Sequence, residues 1–163
     1  MEATGGQVSF VSVLNDQRAH VLGILEGLSD EQLRRPVLPS GWTCLGLVRH
    51  LAVDVERFWF RAVVAGESVD LTSGDGGWQV SADMSAAEVL DLYRHEIEVA
   101  NKIIADRSLD AAPAWWPVEV FPDLPEKDLS QTLLHVITET ACHAGHLDAV
   151  RELIDGRTWL ILT

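Results

Sequence analysis

The chain has 163 residues, 47% of them hydrophobic, which suits one folded domain spanning 1–163 and excludes a disordered chain. Its formal net charge of −13 repels phosphate backbones and argues against nucleic acid as a partner. No apolar run reaches the roughly 18 residues of a membrane span, and MEATGGQVSF lacks a basic or apolar leader, so a cytoplasmic protein without a membrane partner is expected.

Residues 1 to 7 are small and polar and are expected to fray. From Val8 to about Gly27 the pattern is helical, with Phe10, Val13, Leu14, Val21, Leu25 and Leu28 at helical spacings. His20 reads as a boundary histidine. Ser29 to Gln32 has the form of a capping box, and Pro36 and Pro39 end the short turn it opens. Thr43 is a good N-cap for a second long helix, from about Cys44 to Ala65, which Gly66 stops. Leu47, Leu51, Phe58 and Ala62 are its apolar stripe. His50 sits at the edge of that stripe, Asp54 follows one turn later, and Arg57 and Arg61 point further round to solvent.

Gly66 to Met84 is a Gly- and Asp-rich connection holding Trp78, long enough to leave the flanking helices parallel. Ser85 to Glu88 is a second capping box, opening a helix to about Asp106 with Val89, Tyr93, Ile97, Ala100 and Ile104 inward. His95 reads as solvated. Residues 107 to 128 form a Pro-rich loop with the pair Trp115-Trp116, which either walls a pocket or plugs the end of the fold. Asp128 to Gln131 caps the last helix, which stops at Gly156. The apolar tail, Arg157 to Thr163, packs back on the domain or on a second subunit. Four amphipathic helices without strand signal predict an all-α bundle. Cys44 and Cys142 form no framework and are expected as free thiols packed like small hydrophobes.

The chemistry concentrates on the last helix. His135, Glu139, His143 and His146 share a stripe roughly 80° wide, which Val150 and Leu153 continue. A polar stripe running into Val and Leu predicts imidazoles that point inward. A cluster of that kind needs satisfying, by backbone or water in the ordinary case and by a divalent metal here. Glu139 and His143, spaced i, i+4, can reach one ion. His50 is the best third ligand from a facing helix; an alternative triad takes His146 in place of Glu139. Two imidazoles and a carboxylate leave a coordination position open, as in catalytic zinc sites, and suit nickel, iron or manganese as well. No HExxH, GxSxG or Gly-rich phosphate motif is present.

GWTCLGLVRHL, the continuation to ERFWF, the WW pair, ETACHAGHLD and the closing RELIDG resemble the DinB/YfiT superfamily, in particular its actinobacterial, mycothiol-associated branch. The resemblance covers about Trp42 to Gly156. It implies a four-helix bundle of up-down-down-up topology with a divalent metal on three side chains. Many members carry two histidines at i, i+4 on the last helix; Glu139 stands at the first of those positions, as in the mycothiol-dependent maleylpyruvate isomerase variant. His146 stands where many members have Gln.

The leading expectation is therefore a metal-dependent transferase or isomerase that activates a low-molecular-weight thiol, mycothiol by resemblance, against a small electrophile. His50, Glu139 and His143 would hold the metal, most simply zinc. His146 or Asp54 would move the thiol proton, and Trp78, Trp115 and Trp116 would enclose the bound molecules. Cys142 is not expected as the nucleophile. A metal-dependent hydrolase and a non-catalytic dimeric metal-binding bundle are the alternatives, and a homodimer is expected.

Overall fold

A computed structural model describes residues 5–159, with side chains from Ser9 onward. It is all-helical among the described residues: α1 (Gly5–Ile24), a short α2 (Asp30–Arg34), α3 (Cys44–His50) running without a break into a π-helical segment (Leu51–Val64), a single 3-10 turn (Gly76–Trp78), α4 (Ala86–Ala105) and α5 (Leu129–Asp155). The starts follow from local chemistry. Ser29, Ser85 and Asp128 each accept from the N–H three residues on, while Gln32, Glu88 and Gln131 reach back to the cap N–H. Thr43 Oγ1 accepts from Gly46 N at 3.0 Å and starts α3. The stops are as simple: Gly66 and Gly156 take the left-handed φ of 69° and 79° that ends a helix without strain. Gly5 to Gln7, expected to fray, already belong to α1; residues 1–4 lie outside the described residues.

The long helices pair as α1 with α5 and as the π-helical segment with α4; α5 meets the π-helical segment along a narrower contact. This corrects one expectation. The last helix was expected to be the most buried element and to pack against the second; that contact is present, but the last helix is not the most buried. Instead α3 and its π-helical continuation are the most buried, with Leu45, Leu47, Leu51 and Phe60 at zero exposure, and α5 leans mainly on α1. Each such side chain stabilises the fold by about 1.5–3 kcal/mol relative to exposure.

Two buried ion networks tie the helix pairs together. Arg18 of α1 and Glu56 of the π-helical segment, 2% and 1% exposed, meet in a two-pronged pair of 2.7 and 2.6 Å. The remaining guanidinium nitrogen donates to Asn15 Oδ1 and Asn101 Oδ1, both at 2.8 Å, so the buried charge is fully partnered. Arg57 and Arg61, expected to face solvent, turn to Glu96 of α4, 1% exposed, with contacts of 2.8 and 3.3 Å. A buried carboxylate opposite two arginines draws them in. Arg151 caps the other end of the fold: its Nη1 donates to Ile24 O and Glu26 O at 2.7 and 2.8 Å, satisfying carbonyls that the end of α1 leaves free.

The tail packs back as far as it is described. Trp159 stacks on His20 at 4.9 Å, His20 Nε2 lies 2.7 Å from Asp148 Oδ1, and Arg157 donates to Glu26 O. The expectation for 160–163 lies outside the described residues.

Candidate metal centre

At roughly 100° per residue, the buried face of α5 centres on Val136, Thr140, Ala144 and Leu147. The histidine stripe lies on the shoulder of that face, not at its centre. Glu139 and His143 sit nearest the core, and His146 and Leu153 sit further round. Leu153 is 64% exposed and His146 is exposed, which corrects the reading of all four polar residues as inward. Val13 on α1 is likewise outside the core, at 43% exposure, while Arg18 takes an inward position. Cys44 is buried as expected, whereas Cys142 is exposed.

The shoulder of α5 faces the last residue of α3. His50, Glu139 and His143, all half-buried, offer one ligand atom each within 4.8 Å of one another. The His50 and His143 rings meet edge-on at 5.1 Å, and His143 Nε2 lies 3.6 Å from Glu139 Oε2. His50 Nδ1 is 2.8 Å from Asp54 Oδ2, and the Thr72 hydroxyl donates to the other oxygen of Asp54. Burial raises the Asp54 carboxyl, but the hydrogen bonds from His50 and Thr72 outweigh it and hold the group below its ordinary range. Asp54 is therefore an acceptor, and His50 Nδ1 donates to it. Burial, with His50 and His146 close by, pushes the His143 imidazole down to about 4 against the pull of Glu139. The His143 imidazole is thus presented in the neutral, metal-binding form.

These residues fit a divalent cation. Two imidazoles and a carboxylate converge from two helices, and a second carboxylate supports one imidazole from behind. The donor set suits zinc, nickel, iron and manganese alike.

The loop 66–84 closes over this cluster. Trp78 stacks on His50 at 4.3 Å and 15°, and meets the His143 ring edge at 5.6 Å. Arg49 Nη1 donates to the carbonyls of Gly76 and Gly77 at 2.6 and 3.0 Å, pinning the loop to α3. Gly77 is required there, because a Cβ would overlap the Asp54 carboxylate.

Beside the triad runs a cleft of about 450 Å³ that His50 and Glu139 line directly. Its walls are Phe58, Trp59, Trp78 and Phe121, with Phe121 stacked parallel to Trp59 at 5.9 Å. A larger cleft, about 540 Å³, lies beyond Trp78 and Trp42 and is lined by none of the three ligand candidates. The smaller of the two is the cleft that adjoins the triad, since His50 and Glu139 line it.

The other named residues fall into different places. His146 is exposed, its Nδ1 3.4 Å from His143 Nδ1 and its ring 6.2 Å from Trp42; it is outside the triad. His135 lies on the Trp59 ring at 4.6 Å, and burial pushes its imidazole down. Trp116 is buried against Trp59, whereas Trp115 lines a separate cleft with Ala62, Gly66 and Leu71. The pair thus splits between plugging the fold and walling a pocket. His95 is exposed as expected. Thr72, Gly77 and Lys127 were not legible beforehand. Each sits in a loop, and only the fold brings these loops to the triad.

A family model described as mycothiol-S-transferase matches residues 9–156, a span that contains α3, α4, α5 and every residue of the triad. Comparison with curated proteins gives no match. The match covers well over half of the chain, and the chain belongs to the mycothiol S-transferase family.

Proposed function

We propose that the protein transfers mycothiol to a small electrophile, using a divalent metal, zinc in the simplest case, held by His50, Glu139 and His143. The observation that carries this reading is the convergence of three metal-type donors at one side of an aromatic-walled cleft, in a chain of this family. A divalent cation bound there supplies deprotonation of a thiol at neutral pH, where a free thiol of pKa about 8.5 is mostly protonated.

The chain's own residues do the rest. Asp54, tied to His50 and Thr72, positions an imidazole and is not free to relay a proton. His146, exposed beside His143, is the group placed to hand the thiol proton to solvent. Trp78 covers His50 and, with Trp59 and Phe121, excludes water from the electrophile. Cys142 is exposed, its sulfur 4.0 Å from His146 Nε2, and is not used. No helix is long and apolar enough to cross a membrane among the described residues. The proposal includes the up-down-down-up four-helix arrangement, a cytoplasmic location and a homodimer, which the sequence led us to expect.

The test is turnover of a generic electrophile with and without added mycothiol, in the metal-loaded wild type, Cys142→Ala and His143→Ala. The expected result is a thiol-dependent rate in the first two and none in the third. Equal rates with and without thiol would point to a hydrolase. No metal-dependent rate with any electrophile would point to a binding protein.

A further inference from the structure

The cleft beside the triad is lined by two unlike sets of charged groups. One is His50, Glu139 and, behind His50, Asp54. The other is Lys127, from the Pro-rich loop that precedes α5. Its ammonium folds over two indoles, 5.6 Å from the Trp59 centroid and 5.7 Å from that of Trp116. The chain has 25 acidic side chains against 12 basic ones, and Lys127 nevertheless forms no ion pair among the described residues. Its charge helps lower the His135 imidazole, and His135 stands four residues, about 6 Å of helical rise, before Glu139. Lys127, His135, Glu139 and His50 all line this one cleft.

We infer that Lys127 is the specificity-determining residue of this cleft, and that the electrophile it selects is a flat, apolar molecule carrying one anionic group such as a carboxylate. The body of the molecule lies between Trp59, Phe58 and Trp78. Its anion accepts a charge-assisted hydrogen bond from the Lys127 ammonium, which is half-buried beside the two indoles. Its reacting carbon then lies toward the triad, because Glu139 and a bound thiolate would together neutralise a divalent cation held there and leave Lys127 as the free positive charge of the cleft. Lys127 acts on binding and orientation, not on the chemical step. The choice of the electrophile as the occupant rests on the transferase reading; the preference of the cleft for an anion does not.

The probe is 4-chloro-3-nitrobenzoate, with its methyl ester as the same ring without the charge. In the thiol reaction the sulfur–carbon bond forms, the carbon–chlorine bond breaks, chloride leaves with the electron pair and the thiol proton passes to water. Binding of each compound to the metal-loaded protein is measured by calorimetry. Turnover with mycothiol is measured separately and normalised to the rate with free thiol. Wild type is expected to bind the acid about tenfold more tightly than the ester. Lys127→Gln should bring the two within about twofold, with the loss in KM and little change in kcat. Lys127→Arg should keep most of the preference.

Equal binding of acid and ester by wild type would overturn the inference. So would a preference that survives in Lys127→Gln, or one that disappears in His143→Ala instead, since the carboxylate would then be sitting on the metal. Thiol-dependent turnover without an acid preference sinks this inference alone. An acid preference in binding without any thiol-dependent turnover sinks the transferase reading alone.

Discussion

Replacing Gly77 by Ala tests how the loop over the metal centre works. Gly77 is buried, and its φ is not in the left-handed region, so its backbone conformation accepts alanine. The obstacle is one side chain: the new Cβ would overlap the Asp54 carboxylate and lie 2.7 Å from Oδ1. Arg49 holds the carbonyls on either side of this point at 2.6 and 3.0 Å, so the loop cannot rise cheaply and Asp54 must turn away. The 2.8 Å bond to His50 Nδ1 then breaks, and His50 loses the partner that sets its tautomer and ring angle. Loss of such a supporting partner lowers metal affinity about 10- to 100-fold. The assay is competition for zinc against a chromophoric chelator. Gly77→Ala and Asp54→Ala should fall by similar factors. The double variant should be no worse than Asp54→Ala, because the carboxylate that collides is gone. Wild-type affinity in Gly77→Ala, or simple additivity in the double variant, would refute the reasoning.

Other perturbations separate the site from the scaffold. His50→Ala and His143→Ala should each remove most bound metal, and Glu139→Gln should weaken it by removing a formal charge; metal analysis after gel filtration reads this, and unchanged metal in Glu139→Gln with loss in His146→Ala would select the other triad. Glu56→Ala leaves Arg18 without its counter-charge at 2% exposure, held only by the Asn15 and Asn101 amide oxygens, and should cost about 3–5 kcal/mol in urea unfolding, while Arg18→Met with Glu56→Leu should lose far less. Burial pushes the Cys44 thiol up to about 11 from 9.0, so between these values the unfolded chain sheds a proton that the folded chain keeps. Stability should therefore be intact below pH 9 and fall by about 2 to 3 kcal/mol as pH rises to 11, a slope that Cys44→Ala flattens. In the native protein only Cys142 should react quickly with a thiol reagent at pH 8, and in denaturant both cysteines should react.

Much of this molecule is written in short-range chemistry. The caps at Ser29, Thr43, Ser85 and Asp128, and the stops at Gly66 and Gly156, each depend on residues a few positions apart, so they can be read from the chain. The same holds for Glu139 and His143, neighbours on one helix, and for His50 with Asp54 one turn later. Tertiary structure decided everything that depends on which faces meet. The histidine stripe and the apolar face of α5 overlap in angle, and only the packing of α1 against α5 shows that the stripe lies on the shoulder, with His146 left in solvent. Arg18, Arg57 and Arg61 look like surface residues on their own helices; Arg18 becomes interior because Glu56 faces it from another helix, and Arg57 and Arg61 become half-buried because Glu96 does the same. Thr72, Gly77, Phe121 and Lys127 carry no local signal, since loops obey no period. The folded chain brings two long loops to one side of the triad, and that approach turns three ligand candidates into the wall of a cleft.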